Sequence, residues 1–127
     1  MSGVLRPRPA TFRRIDRVRE NLSDKPLLGP QEIRDLAAQL GIRPTKTLGQ
    51  NFVIDPNTIR HIVTAADITD DETVLEIGPG LGSLTLGLAD AARQVVAVEI
   101  DPPLAQQLPH TIAKFRPEKA QNVNVVL

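Results

Sequence analysis

Between Thr73 and Asp101 the chain reads TVLEIGPGLGSLTLGLADAARQVVAVEID, and this stretch narrows the possible folds more than any other. Val74, Leu75 and Ile77 form a short apolar run, and Gly78-Pro79-Gly80-Leu81-Gly82 follows at once. Leu84, Leu88 and Ala91 then recur at helical spacing, and Val95 to Val98 is a second apolar run. Continuous apolar runs suit parallel strands buried on both faces. Parallel neighbours need a crossover, which the intervening helix supplies. The pattern predicts strand, glycine turn, helix and strand, the opening unit of an α/β domain.

The turn carries its own chemistry. Gly78 allows a sharp change of direction. Gly80 leaves no Cβ in the way of a ligand nearing the backbone, and Gly82 lets the helix start pack close to the strand. The free N–H groups of a helix start favour an anion or a polar ligand end. Glu99 and Asp101 close the second strand. An acidic residue about 20 positions past such a turn accepts hydrogen bonds from ribose hydroxyls. A nucleoside-containing cofactor follows. The dinucleotide fingerprint G-x-G-x-x-G would need its third glycine where Ser83 stands. Here the glycines alternate, with Glu76 just before them, which counts against an NAD-type oxidoreductase domain.

With 127 residues the chain is long enough for one small domain. Phe12, Phe52 and Phe115 are the only aromatic residues, so the core must be aliphatic and stacking platforms for bases are scarce. There is no cysteine, which excludes a disulfide framework or a thiolate metal site and fits the cytoplasm. No apolar run approaches the roughly 20 residues of a membrane span, and the N-terminus lacks the apolar segment of a secretory signal. Net charge is zero but uneven. Residues 1–46 hold ten Lys/Arg against five Asp/Glu, and the remainder reverses that balance. A basic front on an acidic body suits a polyanionic partner; the alternative is a solvated tail.

Residues 1–28 show no clean period and read as a basic, disordered or partly helical extension. Pro30 opens an amphipathic helix whose inner face is Ile33, Leu36, Ala37 and Leu40, stopped at Gly41. Arg43 to Asp55 is a polar stretch, RPTKTLGQNFVID, that periodicity cannot place. Asp55 and Pro56 then cap and start a helix with Ile59, Ile62, Val63 and Ala66 as its buried stripe. His61 and His110 have no partner motif. Pro102-Pro103 starts a helix to about Phe115, which Pro109 should kink or split. A polar connection leads to a third strand from Val123.

Three stretches coincide: Leu48-Gly49-Gln50-Asn51-Phe52, the turn from Leu75 to Thr85, and Val98-Glu99-Ile100-Asp101. In this order and spacing the chain, from about Gly29 to Leu127, resembles the rRNA adenine N6,N6-dimethyltransferases that act on small-subunit rRNA. The resemblance implies an α/β, class I S-adenosylmethionine-dependent methyltransferase (Rossmann-like) fold, of which residues 29–127 would be the N-terminal half, truncated after the third strand. It implies S-adenosyl-L-methionine as cofactor and methyl transfer to two adjacent adenosines near the 3′ end of small-subunit rRNA. Its partners would be that rRNA and the 30S precursor in ribosome biogenesis, with no membrane and no metal, in a cytoplasmic monomer. By motif, Asn51 and Val53 would line the cofactor and Gly78 would contact its methionine part, beside Gly80. Glu99 would hold the ribose hydroxyls, and Ile100 would pack on the adenine. The resemblance places the catalytic motif, Asn-Leu-Pro-Tyr-like, beyond Leu127, so no catalytic residue is expected in this chain and the chain alone should be inactive. A non-catalytic RNA-binding or ribosome-assembly remnant is the other reading. A three-strand sheet of this kind would leave one face and one edge uncovered.

Overall fold

The computed structural model describes residues 25–42 and 55–127. The element order is α1 (Pro30–Gln39), α2 (Pro56–Ala66), β1 (Thr73–Ile77), α3 (Ser83–Ala91), β2 (Gln94–Val98), α4 (Pro102–Phe115), a 3-10 helix (Pro117–Asn122) and β3 (Val123–Val126). The three strands form one parallel sheet in the order β1-β2-β3. Leu75 lies opposite Val96 and Val96 opposite Asn124, while Ile77, Val98 and Val126 form the next row. Each strand is reached through a helix, as parallel pairing demands.

Local chemistry sets the helix ends. Asp55 caps α2 by accepting from the Asn57 amide at 3.0 Å and from the Thr58 hydroxyl at 2.9 Å, and Pro56 occupies the first helical position. The amide bond to Asn57, then that to Thr58, holds the Asp55 carboxyl below its ordinary value. Gly41, at φ +63°, ends α1 as expected. Pro109 lies within α4, which remains one helix from Pro102 to Phe115 rather than two.

The core lies on one face of the sheet. Val95 and Ala97 point into it, with Leu86, Leu88 and Ala89 of α3, Leu104, Leu108 and Ile112 of α4, and Ile59 and Val63 of α2. Of the stripe predicted for α2, Ile62 and Ala66 are exposed instead, because Ile59 and Val63 alone face α3. There Gly87 lets the helices meet: a Cβ on it would come within 3.0 Å of Ile59 and 3.1 Å of Val63.

The other face of the sheet is bare among the described residues. Leu75 and Ile77 are 63% and 72% exposed, so the expectation that β1 is buried on both faces fails. The apolar run is continuous, but these helices cover one side only. The outer strands β1 and β3 each pair on one side among the described residues, so two edges stay open where one was expected.

Residues 25–28, grouped by sequence with the extension, belong to the domain. Leu27 and Leu28 are buried in the core, and a buried guanidinium holds their strap in place. Arg116 Nε donates to Asp90 Oδ1 at 2.7 Å and Nη2 to Oδ2 at 3.0 Å. Its Nη1 donates to the carbonyls of Pro26 at 2.7 Å and Phe115 at 2.8 Å. Lys25 adds longer ion pairs to Asp90 and Glu118. The rest of the basic extension, residues 1–24, lies outside the described residues. Among those described, no helix is long and apolar enough to cross a membrane.

Candidate functional site

The site lies at the carboxyl ends of β1 and β2, where ligands of open parallel sheets bind. The glycine turn leaves β1 here, and Gly78, Gly80 and Gly82 all have positive φ. The turn is tied to the next strand, since the Gly78 amide donates to the Val98 carbonyl at 2.9 Å. In front of Gly78 the space is open: no atom lies within 4 Å of where its Cβ would be. Gly82 is needed for a different reason from the one expected. A Cβ there would meet Leu108 Cδ1 at 2.6 Å, so the close approach is to α4 rather than to the strand.

Glu99 is buried, and two backbone donors fix its carboxylate. The Gly80 amide donates to Oε1 at 3.0 Å and the Asp101 amide to Oε2 at 3.1 Å. An ionised carboxylate offers about four acceptor sites, so room remains for two ligand hydroxyls. The same geometry alters the expectation for the turn amides. The Gly80 N–H that could cradle a phosphate is already given to an anion of the protein. A diphosphate would meet a carboxylate here, which weighs against a dinucleotide and for a ligand end that is neutral or cationic.

Ile100, next to Glu99, is 88% exposed. So large an apolar surface beside the acid can cover a flat heterocycle. The structure thus brings Gly78, Gly80, Glu99 and Ile100 together at one end of the sheet. Asn51 and Val53, with the LGQNF stretch, lie outside the described residues.

One further acidic group stands under the turn. Glu76 of β1 points to the helix-covered face and is buried, and its Oε1 accepts from the Thr85 hydroxyl of α3 at 2.5 Å. Burial raises its carboxyl from 4.5 to about 6; the Thr85 bond opposes that rise and the charge of Glu99 adds to it. Sequence reasoning used Glu76 only as part of a pattern. Its place, one step out of phase with the apolar Leu75 and Ile77, was the available signal that it faces the core side.

The chain is similar to solved methyltransferases. It aligns with the crystal structure of the 23S rRNA methyltransferase ErmE at a TM-score of 0.53 and 45% identity, over 60% of this chain and 29% of that one. A dimethyladenosine transferase from Plasmodium falciparum gives 0.52 and 29%, over 59% and 27%. Together with the parallel sheet and its glycine turn, these likenesses define a Rossmann-like methyltransferase fold. Residues 42–127 match the model of the family described as ribosomal RNA adenine dimethylase. Among curated relatives, the ribosomal RNA small subunit methyltransferase A of Paenarthrobacter aurescens is 68% identical over 102 residues, covering 80% of this chain and 35% of the relative. That of Thermobifida fusca is 61% identical over 104 residues, covering 82% and 36%. The chain belongs to the ribosomal RNA adenine dimethylase family, and it spans about a third of the length of these relatives.

Proposed function

We propose that this chain forms the cofactor-binding part of an S-adenosylmethionine-dependent dimethyltransferase acting on adenosines of small-subunit rRNA. One observation carries the reading: the buried Glu99 carboxylate, held by the Gly80 and Asp101 amides, keeps two acceptor sites free beside an open glycine turn. That arrangement suits the two adjacent hydroxyls of a ribose. Gly78 leaves space for the methionine part, Gly80 fixes the acid, and Ile100 covers the adenine. Asn51 and Val53 complete the lining.

When bound, S-adenosylmethionine supplies a methyl group on a positively charged sulfur. The contribution of this chain is to hold it in one orientation, which lowers the entropic part of the barrier. The adenine amine that takes the methyl is held, by the family resemblance, through an Asn-Leu-Pro-Tyr-like motif absent from these 127 residues. The chain alone should therefore bind cofactor without transferring methyl groups. The 30S precursor is the partner, the basic front holds its backbone, and the protein acts in the cytoplasm as a monomer.

Calorimetric titration with S-adenosylmethionine tests this. Glu99→Ala should weaken binding by about 1–3 kcal/mol, the range for lost hydrogen bonds to a charged group, or about 5- to 150-fold. Unchanged affinity would remove Glu99 from the site.

A further inference from the structure

Two carboxylates, not one, flank the glycine turn. Glu99 is well compensated by its two amide donors. Glu76 is not: among the described residues its carboxyl receives one hydrogen bond, from Thr85, itself fully buried. The ion pairs of this part of the molecule lie elsewhere, at Asp90 and Glu118 with Lys25 and Arg116. The helix packed over Glu76 presents a hydroxyl rather than a cation, and the charged group bearing on it is Glu99 at the end of β2. Two like charges in a buried place without a counter-ion are costly. A ligand end of positive charge relieves that cost, and a neutral one does not.

We propose that Glu76 is a specificity-determining residue of the cofactor site, which separates the positively charged sulfonium cofactor from its neutral thioether product. The inference rests on the cofactor reading above. The two adenosyl compounds share ribose, adenine, amine and carboxylate, so contacts to those parts bind both alike. They differ by a methyl group and one positive charge at sulfur. Glu99, spent on ribose hydroxyls, has the same contacts in both complexes. Glu76 lies on the strand that leads into Gly78, beside the space left for the methionine part. Its negative charge favours the charged sulfur and leaves the thioether unassisted, which helps the product to leave.

Linkage makes the inference quantitative. If the ligand's charge eases ionisation of Glu76 by about one pK unit, ionised Glu76 strengthens binding about tenfold. Burial keeps the carboxyl largely protonated below about 6. Selectivity for the sulfonium should then be small at acid pH and grow as Glu76 ionises, by about fivefold between pH 5 and pH 7.5.

The test is calorimetric titration of the chain with S-adenosylmethionine and S-adenosylhomocysteine at both pH values, for wild type and Glu76→Gln. The wild-type ratio of dissociation constants should rise by that factor, and the glutamine variant should give a ratio independent of pH. An analogue carrying an amine in place of the sulfonium should follow the cofactor on wild-type protein, which keeps the test open if the variant fails to fold. Binding of all ligands with a wild-type ratio that ignores pH overturns the role of Glu76 while the cofactor site stands. So does a glutamine variant that keeps the rise. Failure of both adenosyl compounds to bind at either pH overturns the cofactor reading, and this inference with it.

Discussion

Asp90→Ala probes the strap through one buried ion pair. The carboxylate of Asp90 accepts two charge-assisted bonds from Arg116, and both side chains are about 1% exposed. Removing the acid strands a guanidinium in the interior, a change that costs roughly 3–5 kcal/mol. Arg116 would keep its bonds to the carbonyls of Pro26 and Phe115, so the lower end, about 3 kcal/mol, is expected. The Lys25 pair adds little, being long and half exposed. Against a domain stability of about 5–15 kcal/mol, such a loss is large. Urea unfolding should show a much lower midpoint for Asp90→Ala. Arg116→Met leaves the Asp90 acid stranded instead, and should cost a similar amount. The double variant has neither orphaned charge and should recover about 2 kcal/mol or more of the summed losses, a coupling that a double-mutant cycle reads directly. An Asp90→Ala midpoint near wild type, or additive losses in the cycle, would refute the reasoning.

Other outcomes follow from the glycine turn and its acids. Gly82→Ala sets a Cβ 2.6 Å from Leu108 at φ +99°, and thermal unfolding should register a loss of about 2–4 kcal/mol. Gly80→Val places a branched side chain at φ +59° beside Glu99, and cofactor titration should show at least about tenfold weaker binding in a protein that still folds. The raised carboxyl of Glu76 binds a proton more tightly in the folded than in the unfolded chain. Its contribution to stability is therefore full below about 4.5 and is lost as pH rises through about 6, a change of about 2 kcal/mol. Glu76→Gln should flatten urea-unfolding stability over that window, and an unchanged slope would place the titrating group elsewhere.

What could be read in the sequence was local. The run from Val74 to Gly82 placed a strand and its turn, Asp55-Pro56 placed a helix start, and the acid about 20 residues past the turn did come to the turn. Each depends on neighbours within a few positions or on one crossover unit. Ile62 and Leu75 went the other way because a pattern shows that a residue is apolar but not which partner covers it. Gly82 was singled out correctly and explained by the wrong neighbour, since Leu108 is far along the chain. The Arg116 clamp was invisible: it joins Pro26, Asp90 and Arg116, three positions with no common period. Glu76 was seen as a letter in a motif, and its burial under Thr85 needed the helix in place.

That clamp also sets a timetable. The Pro26 carbonyl and its donor Arg116 are 90 positions apart. At a synthesis rate of about 5–20 residues per second, the strap leaves the ribosome roughly 5–20 s before the guanidinium that fastens it. Leu27 and Leu28 must spend that interval without their final cover. The last turn of α4 thus decides when the first described residues settle, and the nascent chain closes from its later end back to its beginning.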